Sequence, residues 1–533
     1  MAATEGLTVL ADGNVVIEGA ENSYASSYSK ETKRRGFTNG FSGGRLSVGY
    51  GISEDGEQTS SSDHYYSAAL IGSETGDVNI YAGKDAAIRG SQVVAGTGDI
   101  LLSGENVTID SQYNISDYTE RQWSKKSGLS ISVGANGTLG NVISAASSLS
   151  EQSRKAGEAK SDRAAALYGI AAARSAYDLG QGLSGMMSQP AASPAGTGQM
   201  GSPSAGVTVS LDFSTSKTES EFTAHSVTAN GSYLASGGDT VIVARGDEEG
   251  NGGDLNIIGS QLAADGKVKL AANNDLNILS AEESSATVSS NKSTEAGASV
   301  SYGFGTGGGG WGGSASFSQD KGNGSSESVS HVESIIRGAE GVEFASGNDT
   351  LIKGGQIYGQ SVVGNVGGNL TIISEQDTGR EEYEQSSIGA SVSVGSSGNS
   401  ASFNFQKQKA SGNYASVNEQ SGIFAGDGGF DITVGGHTGL VGAVIASEAE
   451  ADKNTLTTAS LSVEDIANFS NYSASTKGFG TDMDFDGGKG GLIPGLPMKE
   501  SGSDSSQTKS AIAQGQINIT DAEAQQRITG QTP

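Results

Sequence analysis

A short alternating motif recurs along the chain and constrains the fold more than any other feature of the sequence. Residues 106–111 (NVTIDS) return as 275–280 (DLNILS) and 369–374 (NLTIIS), with a weaker copy at 14–17 (NVVI). Successive copies begin 92, 169 and 94 residues apart. A chain with such a repeat builds a stack of similar units rather than one closed core.

A second marker keeps the same register as the first. Residues 91–93 (SQV), 260–262 (SQL) and 355–357 (GQI) precede the first marker by 15, 15 and 14 residues. The one long spacing contains residues 135–205, which are rich in Ala and end in a proline-bearing stretch. Arg163, Leu167, Ile170, Arg174 and Tyr177 recur there at helical spacing. We therefore predict one helical insertion over residues 135–205.

Each repeat contains two kinds of strand. Short strands such as 77–80 (DVNI) and 341–344 (GVEF) lie between Gly, Asn and Asp, which is typical of the coils of a β-solenoid. After each first marker, a Ser-rich stretch leads into paired alternating strands such as 297–304 and 314–317. This pattern predicts a β-hairpin that projects from the solenoid. Drawn in this way, the strands are shorter than the 9 to 11 residues that cross a membrane.

The predicted fold is therefore all-β: a right-handed parallel β-solenoid (β-helix) with projecting β-hairpins and one helical insertion. The general preference for right-handed crossovers supports the handedness. The predicted division of the chain is a partial repeat unit 1 with a hairpin over 1–61, unit 2 with the insertion over 62–226, unit 3 with a hairpin over 227–330, unit 4 with a hairpin over 331–413, a degenerate last unit over 414–477, and a Gly/Asp/Pro linker with a polar tail over 478–533. Within that tail, one strand is predicted at 516–520.

Composition excludes several classes of function. The net charge is −28 and the chain contains no cysteine, which argues against nucleic-acid binding and excludes disulfides and thiolate chemistry. We find no constellation typical of an enzyme and expect no cofactor. No run of 18 apolar residues is present, so we expect no membrane-spanning helix. Residues 1–5 (MAATE) lack the features of a signal peptide, so we expect an export signal to lie outside this chain.

The repeats resemble the haemagglutinin-repeat region of filamentous haemagglutinin-like exoproteins, which are secreted by the two-partner route. The resemblance is carried by residues 76–80 (GDVNI), 82–85 (AGKD) and 90–92 (GSQ) and by their copies. Residues 478–483 (GFGTDM), 494–497 (PGLP) and 500–505 (ESGSDS) are similar to the stretch before the pretoxin and toxin regions of contact-dependent growth inhibition toxins. Among these exoproteins, the chain is therefore most like such a toxin, with the pretoxin and toxin regions expected beyond it.

The resemblance implies a non-enzymatic segment of a secreted bacterial surface protein. In that family, such repeats are associated with the outer membrane of the target cell and with toxin delivery. The implied partners are that membrane or a surface receptor and, for the full-length protein, an outer-membrane two-partner secretion transporter. Two alternatives remain open: an adhesin shaft that binds host-cell or matrix ligands, and a passive rigid spacer. The unpaired edges of hairpins and solenoid ends also make self-association an expectation.

Aromatic residues in the hairpins are candidates for contact with a membrane or a partner, because aromatic side chains favour the boundary between lipid and water. These candidates are Trp123, Tyr302, Phe304, Trp311, Phe317, Phe403 and Phe405.

Three histidines recur at one position of the repeat, as His64-x-x-Ser67, His225-x-x-Thr228 and His331-x-x-Ser334, with Asn418-x-x-Ser421 in the last unit. A catalytic histidine need occur only once, so we predict a structural role where each hairpin rejoins the solenoid, with metal binding or a pH switch as alternatives.

Asp482, Asp484 and Asp486 match the first half of an EF-hand calcium loop. The twelfth position of that loop is Ile493 rather than Glu. These aspartates are therefore only a weak calcium candidate, and a solvated acidic linker is the favoured interpretation.

Overall fold

Short parallel strands wind into three ladders in the computed structural model, which describes residues 1–42, 45–136, 206–305, 308–396, 398–485, 491–495, 497–530 and 532. The strands of the first ladder are Ala2–Ala3, Leu70–Ser73, Gln92–Ala95, Tyr233–Ser236, Gln261–Ala264, Ser334–Gly338, the first half of Gly355–Val366, the first half of Gly422–Val434, Val444–Ser447 and Ala511–Ile512.

The second ladder contains Leu7–Ala11, Val78–Ala82, Ile100–Gly104, Thr240–Ala244, Lys267–Ala272, Gly341–Ser346, the second halves of Gly355–Val366 and Gly422–Val434, Thr455–Thr458 and Gln516–Ile519. The third contains Val15–Glu18, Ala86–Arg89, Val107–Asp110, Leu255–Ile258, Leu276–Leu279, Thr350–Lys353, Leu370–Ile373, His437–Val441 and Ser460–Glu464. The two strands shared by the first and second ladders join them into one 18-stranded sheet, and the third ladder is a nine-stranded sheet.

The core runs along the axis of the solenoid and consists of the inward residues of every coil. In the third ladder, Ile109 lies between Ile88 and Ile257 on the neighbouring coils, and all three are at most 1% exposed. The strands alternate buried and partly exposed residues, as the period of two requires. Burying a side chain of this size contributes roughly 1.5 to 3 kcal/mol, so stacking supplies the stability of each coil.

The corner between the third and first ladders takes two forms on alternate coils. On every second coil the chain turns on a glycine in the left-handed region, as at Gly90 (φ +51°), Gly259 (φ +54°), Gly354 (φ +66°) and Gly442 (φ +58°). Buried serines line the same corner. The N–H of Ser232 donates to the hydroxyl of Ser260 over 3.2 Å, and the N–H of Ser260 donates to Ser334 over 3.2 Å.

On the other coils the chain leaves the solenoid at this corner through a long hairpin. We number them hairpin 1 (Ala20–Ser42 and Arg45–Ser67), hairpin 2 (Gln112–Asn136 and Gly206–Asn230), hairpin 3 (Ala281–Gly305 and Gly308–Val332), hairpin 4 (Asp377–Gly395 and Ser400–Ser416) and hairpin 5 (Ile466–Asp484 with Gly491–Pro494 and Met498–Thr508).

The five hairpins pair side by side into one antiparallel sheet of 11 strands, which we call the hairpin sheet. Neighbouring strands in any sheet lie about 4.8 Å apart. Two coils therefore advance the solenoid by two strand spacings, which is the width that one hairpin adds to the hairpin sheet. With one hairpin after every second coil, the solenoid and the hairpin sheet therefore grow by the same distance.

The structure confirms the predicted parallel β-solenoid with projecting hairpins. The hairpin strands are longer than the sequence indicated, with 25 residues in each strand of hairpins 2 and 3. The Ser-rich stretches that separated the predicted strands from the solenoid are themselves part of these strands, because antiparallel pairing continues through them. The predicted helical insertion falls outside the described residues, apart from the strand end at 135–136.

The last part of the chain differs from the predicted linker and polar tail over 478–533. Residues 478–484 continue the strand Ile466–Asp484, and Met498–Thr508 pairs with that strand. The strand predicted at 516–520 is confirmed as Gln516–Ile519, which adds to the second ladder. A short helix follows at Ala522–Thr529. Backbone pairing with a neighbouring strand orders these polar residues despite their composition. The predicted division into repeat units stays a prediction.

Candidate contact surface of the hairpin sheet

Directly opposed residues of antiparallel strands lie on the same face of a sheet, so the register defines the two faces of the hairpin sheet. In its distal half, two adjacent rows on one face are almost entirely apolar. They are Tyr50, Leu129, Phe213, Ala298, Ala315 and Val392, and Val48, Ile131, Leu211, Val300, Gly313 and Val394. We call these two rows the apolar face.

The apolar face is open to solvent. Val300 is 64% exposed, Ile131 55% and Leu129 50%. A shallow groove of about 440 Å³ runs along it beside Leu211 and Val392. Monomeric soluble proteins rarely expose a continuous apolar patch of more than a few hundred Å², so a surface of this kind is typical of contact with an apolar partner.

The opposite face of the same strands is polar. Serine hydroxyl groups pair across it, Ser132 with Ser210 at 2.6 Å, Ser299 with Ser314 at 2.7 Å and Ser391 with Ser402 at 2.7 Å. We call this the serine face. The alternation of Ser with apolar residues along each strand therefore becomes, across the five hairpins, a sheet with one apolar and one hydroxyl-bearing surface.

The register brings the predicted aromatic candidates to the face that carries the apolar rows. Tyr302 and Trp311 are directly opposed near the tip of hairpin 3 and are 53% and 55% exposed. Phe317 lies on the same face, and Phe403 and Phe405 flank Phe479 with ring centroids at 5.6 and 5.9 Å.

Two further candidates lie at the ends of this region. For Phe304, the backbone pairs with Val207 and Gly309. Trp123 lies nearer the solenoid, where its ring covers Gly56 and the guanidinium of Arg121 sits 5.9 Å from the ring centroid. Contact of these seven residues with a membrane or partner stays a prediction.

The recurring histidines lie in the returning strands of hairpins 1 to 3, near the solenoid, and each faces a carboxylate. Nδ1 of His225 is 2.7 Å from Asp117, and Nδ1 of His64 is 3.7 Å from Glu21. His331 is more enclosed, 3.2 Å from Asp377 and 3.5 Å from Glu375. The structural role of these positions stays a prediction, and within the described residues no group of three potential ligands could hold a metal ion.

An acidic cluster surrounds His331 where hairpins 3 and 4 leave the solenoid. The Asn418 amide donates to Asp377, while Lys353 pairs with Glu375 at 2.6 Å. Burial tends to raise the pKa of Glu375, but hydrogen bonds from Lys353 and Ser280 lower it below its ordinary value. Burial and the neighbouring carboxylate of Glu419 raise the pKa of Glu333 to about 7.

The raised pKa of Glu333 predicts a pH-dependent stability. A carboxyl group whose pKa is higher in the folded than in the unfolded state stabilises the fold at pH values below its unfolded-state pKa. This contribution is lost as the pH rises through the folded-state pKa of about 7. Because Glu333 is only half-buried and solvent screens it, we expect Glu333→Gln to raise the free energy of unfolding at pH 8 by on the order of 1 kcal/mol, and not at pH 4. Urea unfolding at both pH values measures this difference. Glu340→Gln, which removes an exposed charge seven residues further along the chain, serves as the control, and an equal effect of both variants would contradict the prediction.

The calcium candidates do not form a loop in the described part of the chain. Asp482 and Asp484 lie in an extended strand, opposite Ser402 and Ser400 on the serine face. Asp486 falls outside the described residues. In the ranges that the structure describes, no helix combines the length and the apolar character needed to cross a membrane.

Fold and surface together define the chain as a β-solenoid with an amphipathic hairpin sheet. Residues 1–125 and 211–390 match the hemagglutinin repeat family, and the chain belongs to this family. Membership identifies it as a repeat segment of a secreted bacterial surface exoprotein.

Among solved structures, the chain aligns with the crystal structure of Pseudomonas aeruginosa OccK3 (OpdO) at a TM-score of 0.09 and 6% identity, over 91% of this chain and 96% of that chain. An alignment at this TM-score carries no information about the fold.

Curated relatives are CdiA toxins of contact-dependent inhibition. The chain is 34% identical over 99% of its length to the "tRNA nuclease CdiA" of Escherichia coli (strain NC101) and covers 16% of that protein. It is 34% identical to the "Toxin CdiA" of Escherichia coli, again over 99% of this chain and 17% of the relative. For the "Deoxyribonuclease CdiA" of Yersinia pseudotuberculosis serotype O:3 (strain YPIII), identity is 33% over 99% of this chain and 48% of the relative. The chain thus spans between about a sixth and a half of these relatives, and the nuclease activities are those of the relatives.

Proposed function

We propose that this chain engages the outer membrane of a target cell during contact-dependent delivery of a toxin. The full-length exoprotein would reach the cell surface through an outer-membrane two-partner secretion transporter. The segment itself would act without catalysis, by presenting a large contact surface.

The observation that carries the proposal is the open apolar face of the hairpin sheet. Exposed Val, Leu, Ile and aromatic side chains extend continuously across hairpins 1 to 4, while the other face is lined by paired hydroxyl groups. Such a two-sided surface suits the boundary between an apolar and an aqueous phase. Aromatic side chains at its ends, such as Trp311 and Trp123, are typical of the interface between lipid and water.

Flotation of the 533-residue chain with outer-membrane vesicles tests the proposal, followed by protease digestion and mapping of the protected peptides. We expect the chain to float and the distal halves of hairpins 2, 3 and 4 to resist digestion, because their apolar residues become covered. The matched control is digestion without vesicles. If the chain stays at the bottom of the gradient and both digestion patterns agree, membrane engagement is excluded, and an adhesin shaft or a rigid spacer becomes the better account.

A further inference from the structure

Lysines form a row across the hairpin sheet, on the same face as the apolar rows and closer to the solenoid. Lys125 is directly opposed to Lys217, Lys292 to Lys321, and Lys407 to Lys477. The register joins these pairs into two adjacent rows of one face. With Lys33 in hairpin 1, which opposes Glu54 beside Lys125, these residues make up what we call the lysine row.

Direct opposition of like charges is unfavourable in a sheet, because the Cβ atoms of opposed residues are only about 4.5 to 5.5 Å apart. The chain contains 60 acidic and 32 basic residues, so lysine pairs are not the expected outcome of its composition. Three such pairs on one face cost folding free energy. Such pairs are tolerated only where carboxylates of the chain or a negatively charged partner offset the repulsion.

Carboxylates pair with Lys33, Lys125, Lys217 and Lys407 of the lysine row, and Lys407 is paired with Glu384. Glu54 lies 3.2 Å from Lys125 and 3.9 Å from Lys33, and Glu219 lies 2.8 Å from Lys217. In the described part of the chain, the exposed Lys292, Lys321 and Lys477 form no ion pair. Because exposed charges more than about 8 Å apart are largely screened at physiological salt, the overall charge of −28 does not cancel this local positive charge.

The lysine row borders the apolar region directly. Phe405 and Phe479 are each two residues from a lysine of the row and lie on the same face. From Lys125 to the strand end near Ala135 the chain extends about 33 Å, which is close to the thickness of about 30 Å of the hydrocarbon core of a bilayer. Trp123 lies on the same row as Lys292, at the level where an interfacial aromatic residue is expected.

We propose that the lysine row binds the phosphate groups of anionic lipids while the apolar face contacts their acyl chains. The inference rests on the proposed function and adds the lipid chemistry that the surface recognises. Lysine ammonium groups are strong donors to phosphate, and each lysine near an anionic surface adds to the attraction. The phosphates also remove the repulsion between the opposed lysines.

Flotation with defined vesicles tests this inference, with phosphatidylcholine alone or with added phosphatidylglycerol. We expect the unaltered chain to bind the anionic vesicles more tightly and to lose this advantage at high salt. The variant Lys292→Gln, Lys321→Gln, Lys407→Gln and Lys477→Gln should bind anionic vesicles at least about tenfold more weakly. Its binding to phosphatidylcholine alone should not change.

A control variant removes the same charge elsewhere: Lys30→Gln and Lys126→Gln on the opposite face of the hairpin sheet, with Lys84→Gln and Lys509→Gln outside it. We expect a change of less than about twofold on anionic vesicles. If both variants lose binding equally, or if the chain floats with outer-membrane vesicles but with neither lipid mixture, the lysine proposal fails and membrane engagement stands. If the chain floats with no vesicle of any kind, the proposed function fails as well.

Discussion

The double variant Ile131→Asp and Val300→Asp is expected to lose association with outer-membrane vesicles by at least about tenfold. Both residues lie on the same row of the apolar face and are more than half exposed. A carboxylate moved from water into an apolar environment without a partner costs several kcal/mol, whereas in the free protein it remains hydrated. The substitutions therefore penalise the bound state alone. Flotation measures the loss.

A matched variant separates the apolar face from the total charge. Ser214→Asp and Ser316→Asp place the same two charges on the serine face, at positions exposed to solvent. We expect this variant to float as the unaltered chain does, and the circular dichroism spectra of all three chains to agree. Equal loss by both variants would mean that net charge, and not the apolar face, governs association.

The second large effect is expected in the solenoid core. Phe344 is 2% exposed and lies opposite Gly364 on the next coil. A Cβ atom on Gly364 would come within 2.4 Å of Cζ of Phe344, so the glycine makes the space that the ring occupies. We expect Phe344→Ala to lower the free energy of unfolding by about 3 to 5 kcal/mol, and Gly364→Ala by about 1 to 3 kcal/mol through overpacking.

The double variant tests whether the two residues depend on each other. With the ring removed, the added methyl group of Gly364→Ala enters space left by Phe344→Ala, so the combined loss should be smaller than the sum by about 1 kcal/mol or more. Urea unfolding followed by circular dichroism measures all three variants, with Val363→Ala, a neighbouring residue that is 38% exposed, as the control. Strict additivity would show that the two residues do not share this space.

The repeats were enough to predict a solenoid with hairpins, because each coil stacks on a copy of itself and the motif must return with each pair of coils. The first marker is the third-ladder strand before a hairpin, as at Val107–Asp110, and the second marker, as at Gln92–Ala95, is the first-ladder strand of the same coil. The length of the hairpin strands was missed, since Ser, Thr, Lys and Glu in their basal halves resemble a loop in composition. Pairing between neighbouring hairpins holds these polar residues in a sheet.

The aromatic candidates show which shared positions on one face of the sheet the sequence alone could predict. Phe403 and Phe405 are two residues apart, so a period of two already places them on one face of a strand. That Trp311 and Tyr302 lie on that same face follows only from the register between hairpins 3 and 4. The lysine row was missed for this reason, because its members come from different hairpins.

The sequence by itself determined the kind of coil, the presence of hairpins 1 to 4 and the alternation along their distal strands, because these depend on residues that are neighbours in the chain. Only the tertiary structure decided which residues of neighbouring hairpins lie opposite each other. A shift of one residue in that register would turn each strand over and mix the apolar face with the serine face. The solenoid sets the register by holding the bases of the hairpins two coils apart. The surface on which the proposed function depends is therefore a product of the stack and not of any single repeat.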